Sequence, residues 1–413
     1  VSLAEALSLA RQHDPTYLKA VERTEEAQAL VDQAYAAAYP SVSSSLSVSQ
    51  NQDALSSPAA RFGGDAYNYY MLSVTAEQPI VKSSLWGAVR AGKKEKAIYK
   101  TATKISERDL MYRVLSSFHS ALLARDQFET QKRIEKIQRD LLATASSRYR
   151  VGNEQLLSVL ELKTTLLLLE QRVKQAETTF QNALVDLGNL IGRDSSTLTL
   201  RGSLDTPDLS KIAEIQNAKP TTRPELERLK LTLEQLDDLR TVTMSQHYPA
   251  LSAFATWDRG GTQKSDLTDN DNSALSFGLR LSVPLFSGLS SVYQRRQLLS
   301  QISQTRLDEK DTSDDHQAAL IKARANLNTA ELVARTSTAA LKQAQEAVQV
   351  AARTYRLGTS TYLQVSNAQK SLADAELNNG QARFEKIRSL ADFYLAYNLP
   401  LENLTAVLST KSL

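Results

Sequence analysis

The sequence predicts a mainly α-helical chain with a small β part, built as two tandem repeats of one unit. Three observations lead there. Gly 14 and Pro 10 in 413 residues are too few for the many tight turns of an all-β chain. Two long runs, from about Ser84 to Arg150 and from about Ser290 to Arg356, contain no Pro and carry apolar residues at helical spacing. The landmarks around those runs occur twice: Tyr39-Pro40 returns as Tyr248-Pro249, Pro79 as Pro284, and Tyr149-Arg150-Val151-Gly152 as Tyr355-Arg356-Leu357-Gly358, at offsets of 209, 205 and 206 residues. On this basis residues 1–200 form the first repeat, 201–222 a linker, 223–400 the second repeat and 401–413 a tail.

Each repeat opens on a run compatible with a helix, Ser2 to Ala38 and about Arg223 to Gln246. Tyr-Pro stops both, because proline pushes the residue before it out of the α region. Two short period-two runs follow in each repeat. Val42, Leu46 and Val48 alternate with Ser43, Ser45 and Ser47; Leu275, Phe277, Leu279, Leu281 and Val283 alternate with Ser276, Gly278, Arg280 and Ser282. These predict four strands of about 8 to 10 residues, each with one apolar and one polar face. The stretches Asn51 to Asn68 and Asp258 to Ser273 are rich in Gly, Asp, Asn and Ser and read as loops.

The period then becomes helical, with Leu110, Val114, Phe118, Leu122, Ile134, Ile137 and Leu141 in the first repeat. At 1.5 Å per residue such a run is about 100 Å long. The mean globular helix has roughly 11 to 12 residues, so these runs need a coiled-coil or tube setting. A Gly, able to adopt a left-handed conformation, ends each long run. Return helices are expected from about Gln155 to Leu190 and Tyr362 to Asn398, the first with a seam of Val173, Ala176, Phe180, Leu184, Leu187 and Ile191. Opening and return helices are each about half the length of a long one, so two stacked end to end would match it. Small residues at Ala323, Ala330, Ala334, Ala340, Ala344 and Ala351 would let helices approach closely around a wide cylinder, although Ala also simply favours helix.

Strands of about 9 to 11 residues suffice to cross a bilayer when tilted. Apolar residues facing Ser, Thr and Gly suit a lipid exterior and a polar lumen. Four strands cannot close a barrel, and an open edge in lipid leaves backbone groups unsatisfied, so several chains must share one barrel. Two chains give eight strands and a filled interior; a conducting pore needs at least three. Tyr67, Tyr69, Tyr70, Phe62 and Trp257 stand at strand ends as an interfacial girdle would. The alternative is a soluble elongated helical scaffold with a small β cap and no transport role.

Composition narrows the chemistry. No run approaches the roughly 20 apolar residues of a membrane-spanning helix. These 413 residues contain no Cys, so they offer no disulfide, thiolate metal site or Cys-anchored lipid within themselves. A net charge of +3 with both signs interleaved offers no basic stripe for nucleic acid. No leader pattern precedes the helical pattern at Val1, which is compatible with a leader having been removed.

The order of helix, strand hairpin, long helix, Gly turn and return helix, repeated twice with Tyr-Arg-Val-Gly and Tyr-Arg-Leu-Gly turns, resembles the outer membrane efflux protein family over nearly the whole chain. The resemblance implies a homotrimer with a 12-stranded barrel in the outer membrane of a Gram-negative bacterium and a 12-helix periplasmic tunnel. A mixed belt from Gly192 to Thr222 and Leu399 to Leu413 would surround the tunnel. It implies a passive exit duct without enzymatic activity or cofactor. Its partners would be outer membrane lipid, a periplasmic adaptor and an inner-membrane transporter of the RND or ABC class. Cargo is left open between toxic small molecules and secreted polypeptides, and the lack of Cys leans toward unlipidated members. The resemblance places adaptor contacts at Tyr149, Arg150, Val151, Gly152, Asn153 and Glu154, and at Tyr355, Arg356, Leu357, Gly358, Thr359 and Ser360. It places the periplasmic entrance at Ser158, Glu161, Gln364 and Asn367. Family members often carry Asp where Gln364 and Asn367 stand, so this entrance is expected to bind multivalent cations more weakly.

Other signals carry less. Gly87 to Lys94 nearly matches a P-loop, but Lys94 replaces the hydroxyl that would hold Mg²⁺ and the run opens a long helix. Asp266, Asp269 and Asp271 lack the Gly and distal Glu of an EF-hand loop. Asp308, Glu309, Asp311, Asp314, Asp315 and His316 read as a solvated helix face with Arg306 and Lys310 as partners. His13, His119 and His247 have no catalytic constellation near them in sequence.

Overall fold

The computed structural model describes the chain except residues 52–65, 153, 206–214, 216–217, 269–272, 287, 358, 360–361 and 410–413, and gives backbone alone at 356, 362, 406 and 409. In chain order the elements are α1 (Leu3–His13), α2 (Pro15–Ala36), β1 (Ser41–Asn51), β2 (Tyr67–Val81), α3 (Ser83–Arg150), α4 (Leu156–Ile191), α5 (Pro224–Ser245), β3 (Ala250–Gly261), β4 (Ser273–Ser282), α6 (Ser290–Arg356), α7 (Tyr362–Tyr397) and α8 (Leu401–Ser409). The two long helices run unbroken for 68 and 67 residues, and both return helices for 36.

The opening run differs from expectation. It is two helices, because Pro15 holds Asp14 at φ −67°, ψ 115°, outside the α region. Pro15 then starts α2 where its missing N–H costs nothing, and the Asp14 carboxylate accepts from Tyr17 N at 2.8 Å. Ser2 and Glu5 close a reciprocal capping box on α1. Three of the strands also exceed expectation, at 11, 15 and 12 residues, while β4 has 10. Pro79 lies inside β2 at a register irregularity with β3, where its lack of a donor is tolerated.

Two compact units cut across the repeats. One comprises Val1–Val21, Ala102–Leu226 and Asp311–Leu413; the other Glu22–Thr101 and Glu227–Lys310. The first holds the main core. Leu110, Val114, Phe118 and Leu122, one stripe of α3, are at most 2% exposed and pack with Leu187 and Ile191 of α4, Leu390, Phe393 and Tyr394 of α7, and Leu404 of α8. Of the small residues on α6, Ala323, Ala330 and Ala334 are buried, Ala344 and Ala351 half-buried and Ala340 exposed.

The second unit holds the sheet, antiparallel in the order β1-β2-β3-β4. Helices follow the same order. Gly92 of α3 lies over Val31 of α2; Arg90 pairs with Asp238 of α5 at 2.9 Å; His247 after α5 meets Ser291 Oγ of α6 at 2.6 Å. At Gly87 a Cβ would stand 2.6 Å from Val242 Cγ2, so the P-loop-like glycine permits close helix packing within α3.

Candidate functional site

Alternation along the strands, carried across by the register, sorts the sheet into two faces. Val42↔Ala76, Leu46↔Leu72 and Val48↔Tyr70 continue through Trp257↔Val74 and Ala255↔Ala76 to Phe277↔Ala255 and Leu281↔Leu251. This face is apolar apart from Arg259, which pairs with Leu72 and whose guanidinium lies 5.0 Å from the Trp257 ring, and Val42, Leu46, Phe277 and Leu281 are 63 to 79% exposed. The opposite face carries Ser41, Ser43, Ser45, Ser47 and Ser49 of β1, then Thr75, Thr256 and Ser276. Of its charges, Asp258 accepts from Ser73 Oγ at 2.5 Å, the Arg280 guanidinium lies 4.7 Å from the Phe254 ring, and Glu77 stands half-buried opposite Ser41. The expected girdle divides between the faces. Tyr70 and Trp257 share the apolar face, whereas Tyr67 and Tyr69 fall on the serine face; Phe62 lies outside the described residues. β1 and β4 each keep one unpaired edge.

At the far ends of the long helices the first turn is built as expected. Gly152 takes φ +79° and accepts no crowding, while Val151 is 70% exposed beside exposed Tyr149 and Arg150. Glu154 is half-buried, and its carboxylate accepts from Gln155 N at 3.3 Å. In the second turn Leu357 is 72% exposed and Thr359 N donates to Thr354 O at 3.1 Å. Asn153, Gly358 and Ser360 lie outside the described residues, as does the Arg356 side chain. Of the expected entrance residues, Ser158 is half-buried and Glu161, Gln364 and Asn367 are exposed on the first turns of α4 and α7.

Sequence reasoning missed Arg148. It joins the ends of α3 and α6, donating to the Tyr355 hydroxyl at 2.5 Å with its guanidinium 4.7 Å from the ring centroid. Its only sequence signal is its place one residue before the repeated Tyr-Arg pair. Further along, Arg133 pairs with Glu376 at 2.6 Å and Tyr112 OH donates to Asp392 at 2.7 Å, tying α3 to α7. Burial pushes the Tyr112 hydroxyl's pKa up, and the Asp392 carboxylate adds to that. Glu225 resists ionisation through burial, but hydrogen bonds and charge from Arg108 outweigh this and hold it below the usual carboxylate value.

The titratable clusters take structural roles. Asp308, Asp311, Asp314 and Asp315 are exposed as expected, but His316 is buried at 8% and its Nε2 meets Ala396 O at 2.9 Å. It faces the core, one step round the helix from the solvated acids. His119 is buried against Phe118 with Nδ1 2.7 Å from Leu115 O, and His13 Nδ1 meets Leu9 O at 3.0 Å. Asp266 accepts from Gln263 N at 2.9 Å; Asp269 and Asp271 lie outside the described residues. Among the described residues no helix is long and apolar enough to cross a membrane.

A sheet with one lipid-compatible and one hydroxyl face, joined in sequence to two unbroken helices, defines the subunit of an outer membrane channel with a helical tunnel. The outer membrane efflux protein family matches at residues 6–193 and 220–398, and the chain belongs to that family. It is 20% identical over 410 residues to the alkaline protease secretion protein AprF of Pseudomonas aeruginosa, covering 95% of this chain and 83% of AprF. It is also 20% identical to the outer membrane protein TolC of Vibrio cholerae, covering 94% and 89%. The fold matches the VceC outer membrane protein of Vibrio cholerae with TM-score 0.80 at 17% identity, over 96% and 95% of the two chains. It matches the CmeC outer membrane channel of Campylobacter jejuni with TM-score 0.84 at 14% identity, over 100% and 89%. The protein is a channel of the outer membrane, not an enzyme.

Proposed function

We propose that three copies form one passive exit duct for secreted polypeptides, docked through the turns at Gly152 and Gly358 to a periplasmic adaptor and an inner-membrane ABC transporter. The sheet carries this reading: four strands with an exposed apolar face and two unpaired edges cannot stand alone in lipid. Pairing β4 of one copy with β1 of the next closes the edges. Two copies give eight strands and a filled interior, whereas three leave room for a pore. The other unit supports a ring as well. α3 contacts α4 through Arg139–Glu170 and α7 through Arg133–Glu376, and α7 contacts α6 through Lys386–Glu331. Away from the Arg148–Tyr355 contact at the ends of α3 and α6, that leaves α4 and α6 flanking the row, and both keep exposed apolar residues, Leu160, Leu167 and Leu168 on one and Ile321 and Leu332 on the other. Polypeptide cargo is favoured because AprF and the Dickeya chrysanthemi protein PrtF, 24% identical over 254 residues, are named protease secretion proteins.

The absence of native Cys makes the assembly directly testable. Ser45→Cys is combined in turn with Ala274→Cys, Ser276→Cys and Gly278→Cys, which share the serine face on the two edge strands. Oxidation should give a three-chain ladder in one pair, since a disulfide needs Cβ atoms about 3.5 to 4.5 Å apart. A ladder ending at two chains, or none in any pair, rejects the trimer. For cargo, deletion of the gene should retain a secreted protein inside the cell; drug hypersensitivity with secretion intact would favour small-molecule efflux.

A further inference from the structure

We propose that the entry to α6 docks on anionic phospholipid headgroups, with Arg295 and Arg296 on the phosphates and Leu285, Phe286, Val292 and Tyr293 at the acyl boundary. Leu285 and Phe286, just beyond β4, are 91% and 79% exposed, and Val292 and Tyr293 in the first turn of α6 are 56% and 64% exposed. Arg295 and Arg296 follow after Gln294 and are both exposed. At 1.5 Å per residue they sit about 8 to 9 Å into the helix. The headgroup layer is roughly 5 to 8 Å thick on each side of the hydrocarbon. The sheet's apolar face ends where this segment begins, so the arginines fall at the depth of the phosphates.

The helix itself is divided. Ser291, Ile302 and Thr305 form the buried stripe. At 100° per residue, Val292, Arg295, Arg296 and Leu299 lie to one side of it and Gln294, Gln297 and Gln304 to the other. Cations therefore share one face with Val292 and Leu299, as an interfacial anchor requires, while Tyr293 lies at the back beside Arg296, bordering the face that the amides occupy.

The first repeat shows why the second carries the site. There Trp86 is 61% exposed at the start of α3, and Arg90 and Lys93 follow. Yet Arg90 is engaged by Asp238 at 2.9 Å, and Lys93 sits 5.4 Å from the Tyr35 ring centroid. Among the described residues, Arg295 and Arg296 have no carboxylate within 4.0 Å. The first acidic residue of α6 is Asp308, 12 positions beyond Arg296. That is about 18 Å along the helix, more than twice the Debye length of about 8 Å at physiological salt. Two adjacent, uncompensated guanidiniums beside exposed aromatics complement a phosphate monoanion on an apolar support.

The proposal rests on the sheet's place in the membrane, not on trimer or cargo, and the mass of the same sample reports on assembly separately. The experiment uses the full chain with Trp86→Phe, Trp257→Phe and Tyr293→Trp, leaving one indole beside the arginines. It is reconstituted in vesicles of phosphatidylcholine with brominated phosphatidylglycerol or brominated phosphatidylcholine. Brominated phosphatidylglycerol should quench about 25-fold more effectively per lipid at low salt, as two surface cations at roughly fivefold each imply, and the preference should vanish in 1 M salt. Adding Arg295→Gln and Arg296→Gln should bring the ratio to about one while quenching by both lipids persists. Equal quenching before the arginines are removed would overturn the proposal. So would no quenching by either lipid, which would put this face against a neighbouring copy or the lumen.

Discussion

At the scale of single residues, two glycines with the same backbone sign answer to different surroundings. Gly152 has φ +79° with open space around a would-be Cβ; Gly192 has φ +67°, and its Cβ would stand 2.5 Å from His13 Cδ2. Gly152→Ala should therefore cost only the left-handed penalty, about 1 to 2 kcal/mol. Gly192→Ala adds overpacking and should cost about 2 to 5 kcal/mol. Urea unfolding of the detergent-solubilised protein compares the two, and equal midpoints would contradict the assigned contact. His119 makes a second residue-scale prediction. Burial disfavours its charged form more than the Leu115 carbonyl favours it, so its pKa lies below the ordinary 6.5. The unfolded chain then binds a proton that the folded chain refuses. Stability is full above pH ~6.5 and falls by up to ~1.4 kcal/mol per unit as pH drops toward the folded pKa. His119→Gln should flatten that slope in unfolding measured from pH 7 to 5. The repeat revealed Gly152 in the sequence because its Tyr-Arg-x-Gly pattern occurs twice. The burial of His119 and His316 was not legible, since a histidine's depth depends on partners distant in sequence, such as Ala396, 80 positions from His316, or on the far side of its helix.

Among elements, the long helices were the most readable, because a Pro-free 3.6-residue period over some 67 positions has few other meanings. The break between α1 and α2 was readable too, in Pro15, but the Ala-rich composition on both sides masked it. Asp14 secures that break from both directions, accepting from Tyr17 N and pairing with Arg113 Nη2 at 3.1 Å while only 4% exposed. Asp14→Ala should cost about 1 to 2 kcal/mol, chiefly the cap, because the Arg113 side chain is 45% exposed and water replaces much of its pairing. Asp14→Asn keeps the cap and should recover most of the loss. If both substitutions unfold at the same urea concentration, the cap is not what the carboxylate supplies. The two-faced strands followed from period two, but their register did not. Register decides that Tyr67 and Tyr69 share the serine face while Tyr70 and Trp257 share the apolar one.

For the whole molecule, the entrance chemistry follows from which side chains three copies would bring together. Gln364 and Asn367 are exposed amides on α7, with Glu161 exposed on α4. A ring of amides hydrogen-bonds passing ions without the field of a carboxylate ring. Trivalent hexaamminecobalt should therefore block single-channel current only at millimolar levels, whereas Gln364→Asp with Asn367→Asp should bring block into the micromolar range. Full micromolar block of the unsubstituted channel would refute this. The repeat made the turn at Gly152 legible in the sequence, but not the Arg148 bridge, because contacts between the ends of two helices some 207 positions apart leave no local pattern. The serine face of β1 has a mechanical consequence. Five hydroxyls along one strand exchange hydrogen bonds with water or with a passing peptide at nearly equal free energy, since the net gain per bond is only about 0.5 to 1.5 kcal/mol. Under the proposed trimer with polypeptide cargo, a wall of this kind would stay wet and grip nothing, so a threaded chain would meet low friction at each rung and its speed would be set by whatever pushes it from below.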